Sequence, residues 1–204
     1  MGPRLGWFLA AAVSVHLIAS CSSRAGGAAP GVRVADLPPV PAGAGCPKSG
    51  SVGLSGHTGV LGTAELPCLR PGPKVAVASL GGVRPVLVNL WASWCLPCQR
   101  EMPRLQRAYA VAGRQVLFLG VDTRDTTGSA RSFLAAVHVT YPQVVDHDGK
   151  VARHIGTVGL PVTLLLDTQG RVAYRRLGEM RPDDIVAAFA RVGVRVTTQH
   201  LAGP

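Results

Sequence analysis

From residue 75 onward, short apolar runs alternate with longer stretches whose apolar residues recur every three or four positions. "VAVASL" (Val75–Leu80) alternates with period two and reads as a half-buried strand. "PVLVNLW" (Pro85–Trp91) and "QVLFLGVD" (Gln115–Asp122) are nearly continuous apolar runs, as expected of strands covered on both faces. Between them a helix is predicted from Leu96 to Ala112, with Met102, Leu105 and Tyr109 on one side. A second helix is predicted over Thr127–Val137, where Ala130, Phe133, Leu134 and Val137 fall at helical spacing. "QVVD" (Gln143–Asp146) is a short strand, "HDGK" turns the chain, and a brief helix spans Val151–Ile155. "LPVTLLLD" (Leu160–Asp167) is a further buried strand, joined through "TQG" to "RVAYRRL" (Arg171–Leu177) as a hairpin. "RPDDIVAAFARVG" closes as an amphipathic helix, with Pro182 in its first turn and Asp183 and Asp184 at its positive end. Strands alternating with helices predict an α/β layered sheet, which the terminal hairpin makes mixed.

The pattern before residue 74 is different. Leu5–Ile18 is an apolar run preceded by Arg4 and broken by His16; fourteen residues are too few to span a bilayer comfortably but suit a signal-peptide core. The ending Leu17-Ile18-Ala19-Ser20-Cys21 resembles the lipobox of bacterial lipoproteins, which implies that Cys21 becomes the first mature residue and carries lipid. The alternative is an ordinary signal peptide cut near Ala19. Residues 22–45 are rich in Gly, Ala, Pro and Ser without periodicity, and read as a tether that reaches about 80 Å at full extension. The expected organisation is a signal peptide (1–20), a flexible tether (21–45), a loop-rich extension (46–73), an α/β domain (74–193) and a C-terminal tail (194–204).

Composition narrows the function classes. The 204 residues suffice for one domain with a proper core, and the formal charge is +10. The basic residues are scattered and aromatics make up only 5%, so there is neither a basic patch nor a set of rings for nucleic acid. Five cysteines are an odd number for an exported chain. Setting Cys21 aside for lipid leaves four. Cys95 and Cys98 pair by spacing, which leaves Cys46 and Cys68 as a structural disulfide closing a Gly-rich loop. A second redox pair that relays electrons is the competing reading of Cys46 and Cys68.

Chemistry concentrates in "NLWASWCLPCQREMP" (Asn89–Pro103). Two cysteines at a helix start can be a redox couple, half of a zinc site or buried small residues. Unsatisfied N–H groups and the helix dipole stabilise an anion at Cys95, lowering its thiol pKa from about 8.5 towards neutrality. Cys98, one turn on, is placed to attack back. Zinc asks for four ligands where this motif offers two.

A strand ending in Trp91 followed by "WCLPC" at a helix start resembles the thioredoxin fold, and more closely the TlpA/ResA/DsbE group of exported, membrane-tethered proteins. Pro103 matches the proline that kinks the family's active-site helix, and "GLP" (Gly159–Pro161) its cis-proline. The resemblance runs from Pro67 to Gly193. It implies a central mixed sheet flanked by helices, with an added helix-strand insertion and an N-terminal extension. It also implies thiol-disulfide exchange through Cys95 and Cys98, with Trp94, Leu160 and Pro161 facing the substrate. Thioredoxins carry an acid at the position of Asn89, and an amide does not shuttle protons as a carboxylate does. The TlpA/ResA group has a functional glutamate at the position of Glu101, which implies that Glu101 tunes or deprotonates the pair; the alternative is a solvated acid paired with Arg104 or Arg107. The implied partners are exported proteins bearing thiols or disulfides, apocytochrome c being the family's best-known client, together with a membrane-embedded electron donor or acceptor. The implied location is the extracytoplasmic face of the membrane, held by a lipid anchor, and no cofactor or metal is called for. The Leu96-Pro97 dipeptide lacks a His to stabilise the thiolate, which favours a reductant over an oxidant. Two other rivals remain. Copper chaperones of this fold space their cysteines three apart and use a distal His, and neither His147 nor His154 lies in a matching motif. A peroxidase would need a Thr-rich loop that "SWCLPC" lacks.

Overall fold

The computed structural model describes Gly2, residues 45–47 and residues 59–202. All of these except Gly2 belong to the unit Val32–Pro204. The expected signal peptide, Cys21 and the tether up to residue 44 lie outside the described residues. Among the described residues no helix is long and apolar enough to cross a membrane.

The six residues of β3 (Val86–Trp91) are all buried, and this strand lies at the centre of a five-stranded sheet. β4 (Leu117–Thr123) pairs with it in parallel, and β5 (Gln143–Asp146) pairs in parallel with β4. On the other flank β6 (Val162–Leu166) runs antiparallel to β3, and β7 (Val172–Leu177) antiparallel to β6. The order is therefore β5-β4-β3-β6-β7, a mixed sheet. Successive side chains of β3 point to opposite faces. Leu87 and Trp91 enter one apolar cluster, and Val86, Val88 and Leu90 enter the other.

The first cluster is closed by α1 (Leu96–Ala112), α2 (Thr127–Ala136), α4 (Pro182–Ala190) and α5 (Thr198–Leu201). The second is closed by α3 (Lys150–His154) and by the small sheet of β1 (Glu65–Leu66) and β2 (Val75–Ala76). In α1 the buried positions Cys98, Glu101, Met102, Leu105, Ala108 and Ala112 fall at three- and four-residue steps, one stripe of the helix. Pro97 fits the first turn, where its missing N–H costs nothing, whereas Pro103 inside the helix has none to offer the Gln99 carbonyl.

One expectation changes, and the segments expected as tail and extension pack onto the domain. The strand expected over Val75–Leu80 stops at Ala76 and becomes a 3-10 turn, Val77–Ser79. Its partner β1 is two residues long, and Ser79 Oγ donates to the Ala76 carbonyl at 2.8 Å, giving the backbone a local alternative to the ladder. Val75, Val77 and Leu80 are still buried. The segment 194–202 is packed rather than trailing: Val194, Val196 and Leu201 are buried, and Arg107 Nε donates to the Leu201 carbonyl at 2.8 Å. The extension, too, is built into the sheet. Val145 N–H donates to the Pro67 carbonyl and Leu69 N–H to the Gln143 carbonyl, both at 2.9 Å, so residues 67–69 cover the outer edge of β5.

Cys46 and Cys68 are bonded, with Cα atoms 6.0 Å apart, at this covered edge. Cys46 Sγ lies 3.2 Å from the Gln143 carbonyl oxygen, a contact and not a hydrogen bond, since a disulfide sulfur has no proton. Closing a loop of sequence separation 22 restricts the unfolded chain. Replacing both cysteines by serine is therefore expected to lower stability by about 3 kcal/mol in urea unfolding, while the chemical shifts of the first turn of α1 stay unmoved.

Candidate active site

β3 delivers the chain to the start of α1, and three clamps fix how it arrives. Trp91 Nε1 donates to Gln143 Oε1 at 2.9 Å, and the Trp91 ring lies 5.5 Å from that of Phe133. To reach Trp91 the Gln143 side chain crosses β4 above Gly120, where a Cβ would stand 1.7 Å from Gln143 Oε1. Only glycine leaves that crossing open. Ser93 N–H donates to Asp125 Oδ2 and Gln99 Nε2 to the Ser93 carbonyl, both at 2.6 Å. Trp94 Nε1 donates to the Arg124 carbonyl at 3.2 Å.

So held, Cys95 becomes the N-cap of α1. Its Sγ faces the Cys98 N–H at 3.3 Å and is bonded to Cys98 Sγ, with Cα atoms 5.2 Å apart. The reduced Cys95 sulfur would sit where the helix presents unsatisfied N–H groups, the position that favours a negative charge. Exposure separates the two cysteines: 5% for Cys95 and none for Cys98, so an incoming group reaches Cys95 alone.

Around Cys95 the surface is apolar. Trp94 and Leu96 are exposed, and Val158 stands fully in solvent. Leu160 is half-buried, Pro161 is buried, and the peptide bond between them is cis. Trp94, Arg124, Val158 and Leu160 line an open cleft of about 160 Å³. Pro161, Leu177 and Gly178 line another of about 270 Å³ across the ridge 157–160.

Beneath the pair lies Glu101, fully buried and one turn after Cys98 on the same stripe of α1. Its Oε1 accepts from Asn89 Nδ2 and its Oε2 from the Met180 N–H, both at 2.7 Å. Burial pushes the carboxyl up to about 7, against the lowering effect of these two hydrogen bonds. The solvated alternative is overturned. Arg104 binds Glu179 at 2.6 Å and Arg107 binds the Leu201 carbonyl, so neither arginine pairs with Glu101. Asn89 also donates to Thr163 Oγ1 at 3.1 Å, while its Oδ1 has no partner among the described residues.

The structure thus brings Trp94, Cys95, Cys98, Glu101, Leu160 and Pro161 to one region. It leaves Cys68, bonded to Cys46, outside β5, three strand spacings from β3 and about 14 Å across the sheet. Cys21 lies outside the described residues. Among those residues no group of three or more His, Cys, Asp or Glu is placed to hold a metal ion.

Sequence reasoning passes over Asp122, whose only signal is an acid closing an apolar strand. It is fully buried at the end of β4, beside Trp91 in the register, and no donor reaches either of its oxygens. Burial first, then the neighbouring Asp125 carboxyl by its charge and as the acceptor of a hydrogen bond, then the charge of Asp146, push it up to about 8. Were Asp122 protonated, its acceptor would be the Asp125 side chain that in turn holds Ser93.

Residues 63–175 match the model of the AhpC/TSA family. The thiol-disulfide oxidoreductase ResA of Geobacillus thermodenitrificans (strain NG80-2) is 34% identical over 101 residues, 49% of this chain and 58% of that protein. The thiol:disulfide interchange protein DsbE of Pseudomonas fluorescens biotype C is 31% identical over 123 residues, 60% of this chain and 66% of that one. The chain therefore matches less than two thirds of either relative's length. Among solved structures, MTB DsbF in its mixed oxidised and reduced forms superposes with a TM-score of 0.58 at 27% identity. That match covers 64% of this chain and 95% of DsbF.

Both buried acids have raised folded pKa values, so the folded state holds its protons more tightly than the unfolded one. Stability is then highest at acid pH and falls as pH rises, through about 7 for Glu101 and about 8 for Asp122. Each group contributes a slope of about 1.4 kcal/mol per pH unit between its unfolded and its folded pKa. Asp122→Asn keeps a donor towards Asp125 but has no proton to lose. Urea unfolding between pH 5 and 8.5 is expected to show a shallower decline for this variant, and none of the Asp122 slope between pH 7 and 8.

Proposed function

The chain belongs to the AhpC/TSA family, and from that premise we propose that it is a thiol-disulfide oxidoreductase of the ResA/DsbE type, working through Cys95 and Cys98. The observation that carries the reading is the disulfide closed across the first turn of α1, in which Cys95 keeps some exposure and Cys98 none. In the reduced state the Cys95 thiolate attacks one sulfur of a target disulfide. A mixed disulfide forms and the target's other sulfur leaves as a thiolate, which takes a proton. Cys98 then loses its proton, attacks Cys95 Sγ and expels the second target thiolate. Two electrons have passed to the target, and the Cys95–Cys98 bond is that of the structure. Glu101, one turn below Cys98 and half-ionised near pH 7, is the group we assign to accept the Cys98 proton. Trp94, Leu160 and Pro161 form the ledge against which the target chain lies, and the apolar rim of Leu96 and Val158 suits an unfolded segment.

The direction we propose is reduction. Between the cysteines stand Leu96 and Pro97, with no side chain to stabilise the thiolate beyond the helix N-terminus itself. A pair whose reduced form is less stabilised is the stronger reductant. The targets we propose are oxidised exported proteins, apocytochrome c among them, on the extracytoplasmic face of the membrane. A lipid on Cys21 would hold the protein there, and a membrane-embedded donor would recharge it. The Cys46–Cys68 bond, away from the site, is assigned a structural role, and the exchange uses no cofactor.

Equilibration with glutathione is expected to give a potential of about −250 mV; a value of about −120 mV would make the protein an oxidant. Cys95→Ser should abolish reduction of insulin, and Cys98→Ser should accumulate the mixed disulfide. Peroxide turnover that needs Cys95 alone would overturn the reading. Glu101→Gln should slow exchange at pH 7 by about tenfold or more and remove the inflection near pH 7 from the rate profile. An unmoved profile would take Glu101 out of the mechanism.

A further inference from the structure

The turn between β7 and α4 touches three parts of the site in three consecutive residues. Gly178 donates its N–H to the Pro161 carbonyl at 2.9 Å, on the substrate ledge. Glu179 accepts from Arg100 Nε at 2.8 Å on one oxygen and from Arg104 Nη1 at 2.6 Å on the other. Met180, buried, donates its N–H to Glu101 Oε2 at 2.7 Å. The chain reverses at Gly178 with φ +88°, a conformation that a side chain would strain. Arg100 and Arg104 are four residues apart on α1 and grip one carboxylate together.

These ion pairs are partly exposed, Arg100 more than half so, and exposed pairs contribute little to stability as such. Their consequence lies in what they place. We propose that Glu179 is the positioning residue for Glu101: gripped by Arg100 and Arg104, it holds the 178–180 turn down on α1, seats the Met180 N–H on the buried carboxyl and shuts water out. The functional meaning of this inference rests on the reading of Glu101 as proton acceptor.

The groups that face Glu101 are few. Asn89 comes from β3, with Thr163 of β6 behind it, and Tyr141 comes from the segment before β5, its hydroxyl held un-ionised by burial and by the Glu101 charge. On α1 itself are Cys98 and Arg104, and from the turn come Met180 and Glu179. Of the two charges of the clamp that reach it, Glu179 raises the Glu101 carboxyl and Arg104 lowers it, while burial outweighs both. This gives a test in which charge and position predict the same sign for one variant and opposite signs for the other. If charge alone mattered, Glu179→Gln would lower the Glu101 midpoint and Arg104→Ala would raise it. If the clamp positions the turn, both variants open it to water, and because burial outweighs the Met180 hydrogen bond that is lost with it, both lower the midpoint.

The titration is read on the side-chain carboxyl carbon by ¹³C NMR between pH 4 and 9, with Glu101→Gln identifying the signal. Both variants are expected to lower the midpoint from about 7 by a pH unit or more, and to speed exchange of the Met180 amide. Opposite shifts, or no shift, overturn the proposal. Arg104→Ala is decisive alone should the other variant fail to fold. Alkylation of Cys95 against pH separates this inference from the reading beneath it. If the carboxyl moves in both variants while alkylation and exchange rates ignore it, the positioning stands and the proton-acceptor role falls. In a Glu101→Gln background, Glu179→Gln should leave the rate profile unchanged; a further shift there would mean that Glu179 acts by another route.

Discussion

Glu101 is closed off from water on the helix that carries the cysteines, and its oxygens are satisfied by groups from two other elements, Asn89 of β3 and Met180 of the turn after β7. A carboxyl in such a place has no tolerance for loose geometry. Losing either donor leaves a buried acceptor whose desolvation costs about 1–3 kcal/mol, more when it is ionised. The helix must therefore lie on the sheet in the one register that brings Glu101 to Asn89. That register also sets the first turn of α1 at the end of β3, where Cys95 becomes the N-cap. The two clefts, the ledge at Pro161 and the 178–180 turn are arranged around this junction.

The exchange of an acid for an amide at Asn89 follows from the same contact. A carboxylate on β3 would stand 2.7 Å from the Glu101 oxygen, and two carboxyls at that range cannot both ionise. With the acid on the helix, the strand has to supply a donor, and an amide does so while also reaching Thr163. The unpartnered Asn89 Oδ1 is what remains of the arrangement, and it is the acceptor a protonated Glu101 would need if the amide turned over. The acid of this junction thus stands on the helix and not on the strand, one turn below Cys98.

What the sequence shows and hides divides along the same lines. α1 runs from Leu96 to Ala112 as its apolar spacing predicts, and β5 occupies Gln143–Asp146 as expected, because both have clear boundaries in the residues themselves. Val75–Leu80 misleads because alternation reports burial and not pairing, and its partner strand is too short to extend the ladder. The Cys46–Cys68 bond is legible once Cys21 is set aside and Cys95 and Cys98 are paired by spacing. Tertiary polar contacts are not. Nothing in the spacing of Asn89 and Glu101 says that they touch, and a glutamate beside Arg104 and Arg107 reads as a surface acid until Arg104 is seen to be taken by Glu179. Asp122 and the 178–180 turn are hidden for the same reason, since a strand-end acid and a Gly-Glu turn are ordinary in solvent and consequential only where the fold excludes it.

Two dry acids on one face of the sheet also decide where the charge of a reduced cysteine pair resides. Asn89, Glu101, Asp122 and Cys98 all lie on the side of the sheet covered by α1 and α2, and all four are fully buried. An environment that holds Glu101 up to about 7 and Asp122 up to about 8 disfavours anions generally, so a resting thiolate at Cys98 would face the same desolvation. Cys95 is placed differently, because its sulfur caps the helix N-terminus and the residue keeps some exposure. In the proposed exchange the charge of the reduced pair would sit on Cys95, and Cys98 would lose its proton only as it attacks. In that proposal the transfer is the step for which a half-ionised carboxyl one turn away is suited, at the cost of stability that is lost as pH rises towards about 7.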